Sequence, residues 1–147
     1  MTSDKRIGCL ALVIVFGAVL ALVSIFGSPL ESSPDEVRQM REALSHMTLH
    51  QNWESITVSQ KDRYAVTLNY KNTPLLGEPE IDTKLVARAV ITELLKEGKR
   101  PARDFIMFFV YAQRPVVGET GENMVEVYGS TRYDPNTDQL IYEPWKR

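Results

Sequence analysis

The sequence predicts an α+β fold: an N-terminal transmembrane helix, then a small, mostly antiparallel sheet of about five strands with two helices packed on it, in the order α-β-β-α-β-β-β. Three observations carry this. Residues 7–26 are 20 consecutive positions without a charge. Two later segments space their apolar residues three and four apart, as one face of a helix requires. The other runs alternate, or concentrate aromatic and β-branched residues, between clusters of turn formers, as strands do.

The first segment reads as a signal anchor. A 20-residue helix spans roughly 30 Å, the thickness of a bilayer's hydrocarbon core. A cleaved leader has a shorter apolar region that ends at an A-x-A-like site; here Ile25 and Phe26 separate Ser24 from Gly27. A lipidated cysteine would follow the apolar run, whereas Cys9 opens it. Lys5 and Arg6 precede the span, and no Lys or Arg follows it until Arg38. The positive-inside rule then places residues 1–6 in the cytoplasm and residues 34–147 outside the inner (plasma) membrane, in the periplasm or extracellular space. The linker, residues 27–33, reaches roughly 23 Å when extended. Cleavage near Gly27, releasing a secreted soluble domain, is the alternative.

Within residues 34–147, "SSPDEVRQMREALSHM" opens with a capping box: Ser33 as N-cap, Pro34 at the first helical position, Glu36 three after the cap. Val37, Met40, Leu44 and Met47 form its apolar stripe, and the helix is expected to end near Met47 or Leu49. "SITVSQ" and "RYAVTLNYK" alternate and read as strands joined through "QKDR". "KNTPLLGEPE" reads as a loop. "IDTKLVARAVITELLKEGK" reads as the second helix, capped by Asp82, with Leu85, Val86, Ala89, Val90 and Leu94 on its apolar face and Gly98 just past its end. "DFIMFFVYAQ" reads as a central strand, "PVVGETGEN" as a loop, "MVEVYGSTRY" and "LIYEPW" as the last strands around the turn "DPNTDQ".

Composition excludes several function classes. Lys5, Arg6 and Asp4 precede the apolar segment; the 15 basic and 18 acidic residues that remain give net −3, without the basic footprint of a nucleic-acid binder or an overall attraction to anionic lipid. With Cys9 the only cysteine, the domain has no disulfide and no thiol nucleophile. No cofactor motif is present, and no catalytic residue can be singled out. His46 and His50, four apart, are weak metal candidates, because no third ligand is evident. "DPNTDQ" places oxygens at alternate positions but lacks the Gly and Glu of a calcium loop, so the turn reading is preferred. "GETGE" lacks the Lys of a phosphate loop and carries Glu119 and Glu122, which would repel phosphate.

The informative stretch is "FIMFFVYA". Alternation places Phe105, Met107, Phe109 and Tyr111 on one side and Ile106, Phe108, Val110 and Ala112 on the other, so both faces are apolar. The flanking strands are polar on one face, leaving one side of the sheet apolar along its middle, with Met124 and Tyr128 at its margin. The expected cover is one helix on each face, which would leave nothing exposed. If a face is left open, a protein partner or a second copy is expected to cover it. The function expected is a membrane-anchored, non-enzymatic protein–protein interaction or accessory module. The alternative is a small-ligand binding or hydrolytic domain that uses the same face as a pocket.

Overall fold

A computed structural model describes residues 32–47 and 51–146. The segments 1–6 and 7–26, Cys9 and His50 lie outside the described residues. Among the described residues no helix is long and apolar enough to cross a membrane.

The capping box forms as its residue types require. Ser33 N donates to Glu36 Oε2 at 2.9 Å, and Glu36 N donates to Ser33 Oγ at 3.3 Å. It opens helix α1, Pro34–Ser45, which buries Val37, Met40 and Leu44. Strands β1, Trp53–Val58, and β2, Ala65–Tyr70, form an antiparallel hairpin.

Helix α2 spans Glu78–Lys96, three residues earlier than the pattern suggests. Its N-cap is Gly77 at φ 87°, a left-handed conformation that glycine adopts without strain, and Pro79 sits in the first turn. Asp82 is therefore no cap. Its Oδ2 accepts hydrogen bonds from Trp53 Nε1 and Tyr70 Oη, both at 2.9 Å, and so pins α2 to the first hairpin. Leu85 is half exposed, while Thr83, Val86, Ala87, Val90 and Leu94 are buried. Gly98, at φ 77°, ends the helix as expected.

Three strands follow: β3, Phe108–Val117; β4, Asn123–Asp134; and β5, Gln139–Pro144. The order α-β-β-α-β-β-β is the one expected. The sheet runs β1-β2-β3-β4-β5 and is mixed: β2 and β3 are parallel, with α2 as their crossover, and the other pairs are antiparallel.

β3 starts and ends later than its composition suggests. Residues 101–105 form a turn, closed by Asp104 N to Arg100 O at 2.8 Å and Ile106 N to Pro101 O at 2.9 Å. At the other end, Pro115, Val116 and Val117 continue the strand, and only 118–122 turn. Beyond the Asn69–Gln113 register pair β2 no longer pairs with β3 and ends at Tyr70, so β3 and β4 run on as a two-stranded arm.

Both helices cover the same face of the sheet, rather than one face each as expected, because their apolar stripes meet in one core. One core holds Val37, Met40 and Leu44 of α1, Val86, Val90 and Leu94 of α2, and Val66, Leu68, Tyr70, Phe108, Val110, Ala112 and Tyr133 of the sheet. By register those sheet residues lie on one side. Phe108 and Tyr133 stack within it, centroids 5.4 Å apart. Thr83 of α2 and Thr131 of β4 share a buried hydrogen bond of 2.6 Å.

The core is locked at one end by an ion cluster. Arg63, buried in the β1–β2 turn, lies 2.8 Å from Glu97 beyond α2 and 3.2 Å from Glu36 of α1. Lys99 lies 2.9 Å from Glu36. The hydrogen bond from Lys99, then that from Ser33 N, then the nearby Arg63 charge hold the Glu36 carboxyl well below its usual value, at about 2.

Candidate functional site

With both helices on one side, the other side of the sheet faces outward. Register fixes what it presents. Across the middle run Thr57, Thr67, Tyr111, Ser130 and Glu143; beside that row run Ala65, Phe109, Arg132 and Ile141. Phe109 and Tyr111 stack with centroids 6.0 Å apart and planes 14° from parallel. Tyr111 is 39 % exposed and Met107 is 40 % exposed, whereas Phe108, Val110 and Ala112 of the same strand are fully buried.

Polar groups frame this aromatic centre and are themselves satisfied. Gln113 Nε2 donates to Asn69 Oδ1, and Asn69 Nδ2 to Ser55 Oγ, each at 3.0 Å, so three strands are joined by one side-chain ladder. Arg132 sits in register with Phe109 and reaches Glu143 at 3.1 Å and Asp134 at 3.6 Å. An aromatic patch with a hydrogen-bonded polar border can exclude water without leaving buried polar groups unpaired. Apolar surface of this kind costs roughly 25 cal/mol per Å² while it stays wet.

The structure separates the six residues expected to share this surface. Met107, Phe109 and Tyr111 are on or beside it. Phe105 is not part of the alternating strand: it ends the 101–105 turn at φ 52° and is 73 % exposed. Tyr128 lies on the other side of the sheet. A β-bulge between Ala112 and Gln113, opposite Val127 and Gly129, makes it the extra residue, and its ring meets Tyr70 edge-on at 5.9 Å. Met124 follows the same side as Glu126, whose carboxylate accepts a hydrogen bond from Tyr128 Oη at 2.7 Å. Its side chain is half exposed on the arm.

Ile141, Val127, Pro115, Val125 and Val117 extend the open side and escaped notice in the sequence. Val117 and Val125 are 72 % and 53 % exposed. For Pro115 and Val117 the signal was present, in the period of two that continues from Tyr111 through Gln113.

The other candidates are dispersed. His46 is the C-cap of α1 and borders a shallow groove of about 410 Å³ with Ala43, Met47, Ala89, Thr92, Glu93 and Lys96. Among the described residues no three His, Cys, Asp or Glu side chains gather as a metal site would require. Asp134 and Asp138 serve the β4–β5 turn: Asp134 Oδ1 accepts from Asn136 N at 3.0 Å, and Asp138 Oδ1 accepts from Tyr133 Oη at 2.5 Å. Asp138 takes the left-handed φ of 54° that the turn needs.

No family model, no curated protein and no solved structure matches the chain.

Proposed function

We propose that the chain is a membrane-tethered, non-enzymatic interaction module. Residues 7–26 hold it in the inner membrane with residues 1–6 in the cytoplasm, and the α+β domain docks a protein partner or a second copy in the periplasm or extracellular space. The docking surface is the open side of the sheet, centred on Phe109 and Tyr111 with Met107 beside them.

The observation that carries the proposal is the placement of both helices on one side of a sheet whose central strand is apolar on both. The stacked Phe109–Tyr111 pair is thereby left at the surface. Aromatic side chains give large contact areas at low entropic cost, which suits them to a binding face. The uncharged 20-residue segment and the short linker support the tether.

Purification of the full chain from detergent-solubilised membranes tests the proposal. The wild type is expected to bring down a stoichiometric partner or a second, differently tagged copy, and Tyr111→Lys is expected to lose it while remaining folded. A wild-type chain that is a lone monomer contradicts the proposal. Recovery of the protein in the soluble fraction, shortened at its N-terminus, contradicts the tether alone.

A further inference from the structure

The domain begins at Ser32, and the contacts of that residue mark one end of the domain. Ser32 N donates to Lys61 O at 3.3 Å, and Ser32 Oγ accepts from Arg63 N at 3.0 Å. Arg63 reaches Glu97, Lys99 reaches Glu36, and Phe109 N donates to Tyr64 O at 2.8 Å. The β1–β2 turn, the end of α2 and the loop 99–107 therefore share the end at which residues 27–31 join the domain. Trp145 is at the opposite end: its N–H donates to Tyr128 O at 3.0 Å, and β5 runs toward it from the β4–β5 turn.

The proximal loop reads Lys99-Arg100-Pro101-Ala102-Arg103-Asp104-Phe105. It is a fixed turn, since Arg100 N also donates to Asp104 Oδ2 at 2.7 Å and Ile106 packs against the core. Phe105 projects from it, 73 % exposed, in a left-handed conformation uncommon for an aromatic residue. The acids of this end have partners within the domain: Glu36 and Glu97 pair with Arg63 and Lys99, Asp62 accepts from Tyr64 N, Asp104 from Arg100 N and Arg103, and in the β4–β5 turn Asp134 accepts from Asn136 N beside Arg132 and Asp138 from Tyr133 Oη. Lys61 and Arg100 form no ion pair among the described residues.

We propose that this loop is a lipid contact: Phe105 enters the interfacial layer of the bilayer, and Lys61 and Arg100 lie against anionic headgroups. The proposal rests on the tethered reading above. The occupant follows from the length of chain that precedes Ser32. From Phe26, the last residue of the apolar segment, to Ser32 the backbone spans at most roughly 20 Å. The proximal end then stays within reach of the headgroup layer, where aromatic rings are favoured and each nearby Lys or Arg is attracted to anionic lipid. The net charge of −3 does not exclude this, because Glu36, Glu97 and Asp104 are ion-paired in place while Lys61 and Arg100 are exposed and make no ion pair among the described residues.

The test uses the full chain reconstituted in phosphatidylcholine vesicles, with and without phosphatidylglycerol, carrying brominated acyl chains as a fluorescence quencher. The emission of Phe105→Trp in a Trp145→Phe background is expected to be roughly halved, and more strongly with phosphatidylglycerol. Wild-type emission, from buried Trp53 and distal Trp145, is expected to stay unchanged. A chain that floats with the vesicles while the tryptophan at position 105 goes unquenched overturns the lipid contact and leaves the tether standing. Equal quenching in both lipid mixtures overturns the role of the cations. A chain that does not float with the vesicles overturns the tether and the lipid contact together.

Discussion

Phe109 and Tyr111 stack on the outward side of β3, 6.0 Å between centroids, while Phe108, between Met107 and Phe109 in the chain, is buried against Tyr133 on the other. One strand thus carries two aromatic pairs with opposite environments. The inner pair is part of the core; the outer pair lies on the open side, with Phe109 half-buried and Tyr111 exposed.

That difference is measurable. Phe108→Ala is expected to destabilise the domain by about 3–5 kcal/mol, the cost of emptying a well-packed aromatic site. Tyr111→Lys is expected to change stability by no more than about 1 kcal/mol. Urea denaturation of both variants checks the contrast. A loss for Tyr111→Lys as large as that for Phe108→Ala would place the outer pair in the core.

Arg63 binds three elements at once. It joins the β1–β2 turn to α1 through Glu36 and to α2 through Glu97. Replacing it with Met strands two carboxylates with Lys99 alone. The expected loss is roughly 2–3 kcal/mol, below that of a fully buried pair because both carboxylates touch solvent. The denaturation midpoint reports it.

Glu36 makes the stability sensitive to acid. Its folded-state pKa is about 2 against an ordinary 4.5, so its contribution is complete above pH 4.5 and is lost as pH falls through about 2. Glu36→Gln should therefore be less stable than wild type at neutral pH, and the gap should close in that acid window. Denaturation curves across it provide the check; a gap independent of pH would contradict the assigned pairing.

Gly129 stands where no side chain fits. A Cβ there would lie 2.4 Å from Tyr142 Oη and 2.7 Å from Glu143 O. Gly129→Ala is expected to cost about 1–3 kcal/mol by forcing β4 and β5 apart. Thermal unfolding measures it.

Much of the fold was legible because its signals are local. The Ser33–Glu36 box, the α1 stripe, Gly98 and the "DPNTDQ" turn act over a few residues and appear where their chemistry requires. The departures have non-local causes. Asp82 has the composition of a cap, but its partners, Trp53 and Tyr70, are distant in sequence. Pro115 opens the segment read as a loop, yet it lies on the arm past the end of β2, where its missing N–H leaves no β2 ladder bond unmade. Phe105 adopts a turn conformation that its side chain does not advertise.

The site was legible in part for the same reasons. The two-sided apolarity of β3 follows from alternation alone. Which side stays open depends on where the helices pack, and the connections allowed one helix on each face. Tyr128 changed sides because of a bulge that Gly129 accommodates. The one local mark of that irregularity is Gly129, an isolated glycine inside a strand pattern.

Photo-crosslinking in intact membranes, with a benzophenone amino acid at position 111 and, as control, at half-exposed Leu85 on α2, addresses the docking face most directly. A discrete adduct from position 111, to a partner or to a second copy, with none from position 85, is the expected result. No adduct from position 111, or the same adduct from both, would mean that the open side of the sheet is not where this protein binds.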